Sequence, residues 1–185
     1  MHIRVIIVVA CIFAAALSIV DTPAQTKVKF EQPILITSAG QSADVTMASI
    51  LCKKGQLTAR LESKSVTKDL ESIKTLIIVP GYSSKGLGAA GISREEELKR
   101  TQSIIAEAKK RNIKILMLHL GGNARRGQQS DDFNKLAAEA ASHLIVVKQG
   151  DEDQFFSNIA ARRKIAVHLV EKMADASGPL QELFK

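Results

Sequence analysis

Short apolar runs alternate with amphipathic stretches along most of the chain. A strand-to-helix alternation of this kind predicts a parallel sheet with helices on both faces. The chain is therefore predicted to be an α/β protein, a three-layer α/β/α, doubly wound, Rossmann-like domain with a five-stranded parallel sheet. The predicted strands are Ile34 to Thr37, Leu57 to Leu61, Leu76 to Val79, Ile113 to Leu120 and Leu144 to Val147.

The polarity of these runs also predicts the order of the strands. The runs that begin at Ile34 and Leu76 are almost wholly apolar, as expected of strands that are buried on both faces. Leu57 to Leu61 alternates between apolar and polar residues, which is typical of an edge strand. Together they predict the flavodoxin-like strand order 2-1-3-4-5.

The predicted helices have recognisable ends. Ser42 caps a helix over Ala43 to Lys54, and Gly55 stops it. Ser93 and Glu96 form a capping box for a helix that runs to Arg111, and Glu95 to Glu97 complement its dipole. A short helix is predicted around Leu70 and Ile73, and two more over Asp132 to Ala141 and Phe155 to Met173.

The first residues have the pattern of a secretory leader. Arg4 precedes an apolar run from Val5 to Val20, and small residues up to Ala24 form a cleavage region. The sequence thus predicts a signal peptide over 1–24 and an extracytoplasmic, secreted or periplasmic location in a bacterial cell. An uncleaved membrane anchor is the main alternative, and lipidation at Cys11 is a third.

The chain after the leader is predicted to consist of a short lead-in, one domain and a short tail. A lead-in over 25–32 precedes a single α/β domain over 33–175, since the length allows one ordinary domain. Gly178 and Pro179 are predicted to end the ordered part, which leaves a frayed or loosely docked tail within 176–185.

The net charge indicates which partners the chain could bind, and the cysteine content indicates the role of its one remaining thiol. The net charge is +7, which favours anionic surroundings. Much of it falls at the predicted helix ends Lys53-Lys54 and Lys109 to Arg111, where cations suit the helix dipole. With few aromatic residues and no reading motif, the chain is not predicted to bind nucleic acid. Cys52 is the only cysteine after the leader, and it is predicted to be a small buried hydrophobe.

Ligands of open parallel sheets bind at the carboxyl ends of the strands, at the point where the connections from two neighbouring strands leave in opposite directions. For the order 2-1-3-4-5, this crevice lies above the first and third strands. It is predicted to hold a small anionic or polar molecule, because a helix N-terminus and two arginines attract phosphate or carboxylate. The predicted ligand-binding residues are Ser38, Gly40, Gln41, Ser42, Asp44, Gly81, Tyr82, Arg125 and Arg126.

Purely structural or solubilising roles also fit the same residues. Ser42 also fits a plain helix cap, and the two arginines also fit an exposed turn that serves solubility. No spacing typical of a metal site is present. A membrane-bound partner that receives the ligand is a further expectation, whereas the oligomeric state is left open.

Two glycine-containing segments invite comparison with cofactor loops. Thr37-x-Ala39-Gly40-x-Ser42 resembles the phosphate loop of flavodoxins, although flavodoxins usually have a hydroxyl residue at the place of Ala39. Gly86 to Gly91 has the spacing of the dinucleotide fingerprint, but it begins well beyond the strand. No cofactor is therefore predicted, and Ser83 to Gly91 is expected to be a mobile flap over the crevice.

Catalysis is left open. Ser83 follows a strand, but Lys85 stands where a nucleophile elbow needs glycine. His119 at the end of the fourth strand could face the crevice. The alternatives to a binding module are therefore a hydrolase or transferase that uses Ser38, Ser42 or His119, and a structural envelope protein.

Two longer segments, Gln32 to Asp44 and Leu76 to Gly81, resemble a family of small exported bacterial proteins that carry a domain of unknown function. The resemblance covers about residues 30 to 172. It implies export and an α/β fold, and it implies no catalytic residue or substrate.

Overall fold

The computed structural model describes residues 28–185, so the predicted leader and most of the lead-in lie outside the described residues. The strands form one parallel sheet of six in the order β2-β1-β3-β4-β5-β6. The α/β class and the relative order of the first five strands are as predicted, but the sheet has one strand more. The strands are β1 Ile34–Ala39, β2 Ala59–Leu61, β3 Thr75–Pro80, β4 Lys114–His119, β5 His143–Val147 and β6 Ala166–Val170.

Helices connect the strands and cover both faces. They are α1 Asp44–Lys54, α2 Ser84–Ala90, α3 Arg94–Lys110, α4 Gln128–Ala140, α5 Phe155–Arg163 and α6 Ser177–Glu182, with short 3₁₀ turns between them. The predicted capping box of Ser93 and Glu96 opens α3, and Gly55 follows α1. Within residues 28–185, no helix is long and apolar enough to cross a membrane.

The sixth strand corrects the prediction of one long helix from Phe155 to Met173. Helix α5 ends at Arg163, and the next residue, Lys164, adopts the left-handed conformation with φ 55°. Glycine is the usual residue at such a helix end, so lysine there gave no stop signal. The chain then pairs with β5, which places His168 on a strand, with its Nδ1 atom 2.7 Å from Nε2 of His143.

The sheet separates two hydrophobic cores. One core packs under α3, α4 and α5 and contains Phe133 and Phe156. The other packs under α1 and α6 and contains Cys52, which is fully buried as predicted. Burial raises the pKa of the Cys52 thiol to about 12, so the thiolate that nucleophilic chemistry requires does not form near neutral pH.

The C-terminal residues form part of the fold rather than a loose tail. Helix α6 buries Leu180 and Leu183 against α1, and the Phe30 ring lies 5.8 Å from the Phe184 ring. Phe30 N donates to the carbonyl oxygen of Leu183 at 2.8 Å. Pro179 lies in the first turn of α6, where a proline costs no helical hydrogen bond, and it therefore does not end the domain.

Candidate functional site

The loops that follow β1 and β3 meet at the carboxyl end of the sheet. Gln41 and Tyr82 form an antiparallel bridge, and Ser83 N donates to Gly40 O at 2.9 Å. A Cβ atom on Gly40 would lie only 2.6 Å from Gly81 O. The predicted residues of these loops are thus brought together, and their own backbones fill the space between them.

A buried carboxylate holds the first loop. Glu97 of α3 is 0 % exposed, and its Oε1 accepts from Gly40 N at 2.8 Å and from Gln41 Nε2 at 3.0 Å. The donors that were predicted to bind an external anion therefore hold an internal one. The sequence interpretation treated Glu97 only as a partner of the helix dipole. The signal for burial was its helical spacing, since Thr101 and Ile105 follow it on the same buried face.

Arg100 completes this buried cluster. Its Nε donates to Glu97 Oε2 at 2.7 Å, and its Nη1 donates to Ser65 O at 2.8 Å. Nη2 donates to Ser38 O at 2.5 Å. One guanidinium therefore ties α3 to β1 and to the loop that follows β2, which makes the cluster a structural clamp.

The two arginines of the predicted clamp point to different partners. Arg125 Nε lies 3.0 Å from Asp44 Oδ2, and a Cβ on Gly81 or Gly121 would strike the Arg125 side chain. Arg126 instead lies 2.9 Å from Asp131 and 2.8 Å from Asp153, over the Phe155 ring. Each guanidinium is already matched by carboxylates, and the two do not converge on one point.

The segment predicted as a flap is the helix α2. Ser83 Oγ caps it by accepting from Gly86 N at 3.0 Å, and Gly91 ends it with φ +68°. A Cβ on Gly86 would lie 2.0 Å from Gln41 O, whereas one on Gly88 would meet nothing within 4 Å. The first glycine of the motif thus allows α2 to pack directly on the first loop.

A cleft of about 310 Å³ opens beside this contact, above β1 and β2. Among the described residues, Lys64 is the one charged residue in its lining, and Lys64 Nζ donates to Ala90 O at 3.0 Å across the opening. The cleft therefore offers a cation without a neutralising acid in its wall. Its lining residues are Gln41, Ser42, Ala43, Val45, Ser63, Lys64, Gly86, Ala89 and Ala90.

A second cleft of about 360 Å³ lies at the same end of the sheet, beside Arg126. Asp131, Glu152 and Asp153 line it with that single arginine, together with Asn123 and Gly127. Hydrogen bonds from Arg126 lower the pKa of Asp153 to about 2. The three acidic side chains of this cleft outnumber its one basic side chain, so the lining carries a net negative formal charge. Among residues 28–185, no group of three or more His, Cys, Asp or Glu side chains is placed to hold a metal ion.

His119 faces away from the serines of the first loop. Its ring lies 4.6 Å from the Phe156 ring, on the face of the sheet under α5, whereas Ser38 alternates with Leu35 and Ala39 and so points to the α1 face. Nε2 lies 3.2 Å from Arg125 O, which only accepts, so this nitrogen carries the proton of the neutral ring. The expected position of His119 in the crevice is thus corrected.

Comparison with known families assigns the chain. The family model described as "Domain of unknown function (DUF6305)" matches residues 31–184. The chain belongs to this family. Among curated proteins, none matches it.

Several solved structures are similar to the DUF6305 domain at low sequence identity and low TM-score. A GDSL-like lipase from Bacteroides thetaiotaomicron is 13% identical, with 80% of this chain and 70% of that chain covered and a TM-score of 0.36. A putative acylhydrolase from Bacteroides fragilis is 10% identical, with 78% and 72% covered and a TM-score of 0.35. A GDP-L-fucose synthetase from Naegleria fowleri is 8% identical, with 77% and 50% covered and a TM-score of 0.34. Likeness at this level carries no argument about activity.

The buried histidine predicts acid sensitivity of the DUF6305 domain. Burial lowers the pKa of His119 to about 4, whereas an unfolded histidine titrates near 6.5. Between these values the unfolded chain binds a proton that the folded chain does not. The free energy of unfolding should therefore fall as the pH falls from about 6.5 to about 4.

Urea denaturation at several pH values measures this effect. Carboxylates also titrate in part of this range, so the comparison is between the wild-type protein and His119→Gln, which keeps an amide donor for Arg125 O. The variant should lose stability less steeply below pH 6.5 than the wild type. Equal slopes would show that His119 does not contribute.

Proposed function

We propose that the DUF6305 domain binds a small anionic ligand, such as a carboxylate or phosphate, in the cleft between the first loop and α2. The observation that carries this proposal is the charge of the lining, in which Lys64 is accompanied by no acidic residue among those described. The nearby Glu62 carboxylate accepts from the backbone N of Lys64 at 3.3 Å and does not line the cleft. An anion bound there would gain a charge-assisted hydrogen bond. Export of the domain, which the leader predicts, would place this cleft outside the cytoplasm.

The other lining groups suit the same ligand class. Ser42 Oγ accepts from Asp44 N at 3.2 Å, which leaves its hydroxyl hydrogen free to rotate towards a ligand. Ser63 adds a second hydroxyl, and α1 begins at the cleft, so the positive end of its dipole favours negative charge. Val45 and the alanines of α2 supply an apolar wall. The volume is that of a site for a small molecule.

The cleft beside Arg126 is less suited to an anion. Its three carboxylates outnumber its one guanidinium, which is already engaged with two of them. The proposal therefore moves the anion from the predicted crevice between the loops after β1 and β3 to the side of the first loop that faces Lys64 and α2, and it keeps Gln41 and Ser42 from the predicted set.

The hydrolase alternative lacks a base at this position. Within residues 28–185, no hydrogen bond joins a histidine to Ser38 or Ser42, and His119 bonds to a backbone carbonyl on the other face of the sheet. A binding module needs no such base, so the arrangement favours binding over hydrolysis.

Thermal-shift and calorimetric titrations with inorganic phosphate, acetate and succinate test the proposal. At least one of these anions should raise the melting temperature of the wild-type protein. Lys64→Gln should weaken its binding about 10- to 100-fold, since a hydrogen bond to a charged group contributes roughly 1.5–3 kcal/mol. Ser42→Ala should weaken it less.

Lys68→Gln is the matched control, because Lys68 is exposed, lies four residues further along the chain and does not line the cleft. It should bind as the wild type does. Undiminished binding to Lys64→Gln, or an equal loss in both lysine variants, would place the anion elsewhere. No shift with any of the three anions would count against anion binding.

A further inference from the structure

The topology of the sheet collects the C-termini of its helices at one end. All six strands are parallel, so each helix that connects two neighbours runs back and ends near the start of the next strand. This end, where the strands begin, is called the amino edge below. It lies opposite the two clefts described above.

Basic residues are concentrated at the amino edge. Helices α1, α3 and α5 end on Lys53-Lys54, Lys109 to Arg111 and Arg162 to Lys164. Lys74 and Lys114 stand at the starts of β3 and β4, and Lys29 lies in the segment that leads into β1. The helix dipole explains why basic residues stand at the end of each single helix. The parallel topology, however, is what brings the basic residues of all three helices to one surface.

The acids at this edge are fewer than the bases, and they are Glu31, Glu71, Glu107, Glu139 and Glu182. Glu107 pairs with Arg111 at 2.6 Å and reaches Lys110 at 4.0 Å, and Glu139 lies 3.9 Å from Arg162. No ion pair within residues 28–185 involves Lys54, Lys74 or Lys109, all of which are exposed. A strong positive potential therefore faces solvent at this edge.

A cleft of about 290 Å³ marks the centre of the basic surface. Lys74, Arg111 and Lys114 line it against the single carboxylate of Glu31. Lys114 Nζ donates to Lys29 O at 2.5 Å, so the cleft lies beside the segment that leads into β1. The amino edge can thus take up anionic groups both in a recess and across an open face.

The same segment connects the amino edge to the apolar run of the sequence. Val5 to Val20 precedes Val28 by only a few residues, and the described chain enters the fold at Lys29, beside Lys114. In the alternative in which the leader stays uncleaved as an anchor, contact of that run with a bilayer would bring the amino edge, rather than the cleft end, close to the headgroups. This favours a membrane over nucleic acid as the polyanion.

We propose that the amino edge of the sheet is a docking surface for a bilayer that contains anionic phospholipid headgroups. Each lysine close to such a surface contributes about 1 kcal/mol of attraction, which corresponds to roughly fivefold in affinity. The opposite end of the domain, with its two clefts, then faces away from the membrane.

Binding of the full chain to vesicles tests this proposal. One set of vesicles contains phosphatidylcholine alone, and the other contains about 30 mol % phosphatidylglycerol. The apolar run contributes to both, so the ratio of the two affinities reports the charge. The triple variant Lys54→Gln, Lys74→Gln, Lys109→Gln should lose about a hundredfold of its affinity for the anionic vesicles.

The control removes the same charge from the opposite end through Lys85→Gln, Lys148→Gln, Lys172→Gln, three exposed residues. It should retain most of the affinity for anionic vesicles, and about 0.5 M salt should weaken the binding of wild type. Equal losses in the two triple variants, or no preference for anionic vesicles, would overturn the proposal. So would tighter binding of duplex DNA than of the vesicles that is lost in the first triple variant, since the surface would then serve nucleic acid.

Discussion

Replacing Glu97 by alanine should lower the free energy of unfolding by about 3–5 kcal/mol. The substitution removes the carboxylate that accepts from Gly40 N, Gln41 Nε2 and Arg100, and it leaves the guanidinium without its ion partner. Removal of one partner from a buried pair costs more than the pair itself contributes, because the other charge stays desolvated. Urea denaturation followed by circular dichroism measures the change.

Glu95→Ala is the control for this prediction. Glu95 lies in the same first turn of α3 but is exposed, so its loss should cost under about 1 kcal/mol. If Glu97→Ala does not fold, Glu97→Gln keeps the shape and some of the hydrogen bonds, and it should lie between the two. The double variant with Arg100→Ala should be less destabilised than the sum of the single variants, since the two residues form one cluster. A strictly additive result would contradict the clamp.

Gly86→Ala should destabilise the domain by about 3 kcal/mol, the upper end of the usual cost of overpacking. The new methyl group would lie 2.0 Å from Gln41 O, which is a backbone atom and cannot rotate away. Either α2 or the first loop must therefore move. Because both form walls of the proposed ligand cleft, anion binding should weaken together with stability.

Gly88→Ala provides the opposite expectation two residues further along the same helix. A Cβ there meets nothing within 4 Å, so the variant should gain about 1 kcal/mol from the higher helix propensity of alanine. Differential scanning calorimetry of the two variants tests the pair. Similar melting temperatures for both would mean that α2 does not pack on Gln41 as described.

The sequence predicted correctly those strands and helix starts whose signals come from residues that are neighbours along the chain. The almost wholly apolar runs of β1 and β3 predicted that both strands are buried inside the sheet, and the capping box of Ser93 and Glu96 predicted the start of α3. Such signals depend on neighbours along the chain, so they need no knowledge of the fold. The helix end at Lys164 lacked the usual glycine, and β6 was consequently read as part of α5.

The candidate site depended on partners that are far apart in sequence. Alternation of strands and helices correctly brought the loops after β1 and β3 to one point. It could not show that Glu97 fills the anion position of the first loop, or that Arg125 pairs with Asp44, 81 residues earlier. No sequence pattern marked Lys64 as a site residue, because it is a single lysine in the loop after an edge strand.

The parallel sheet keeps the loops at the carboxyl ends of its strands apart from the helix C-termini at the amino edge. The loops that follow the strands can exchange residues without altering the cations at the helix ends, since none of the described residues contributes to both. On the two proposals made above, substitutions in the loops would change the choice of ligand and substitutions at the helix ends would change attachment to a membrane, each without altering the other property.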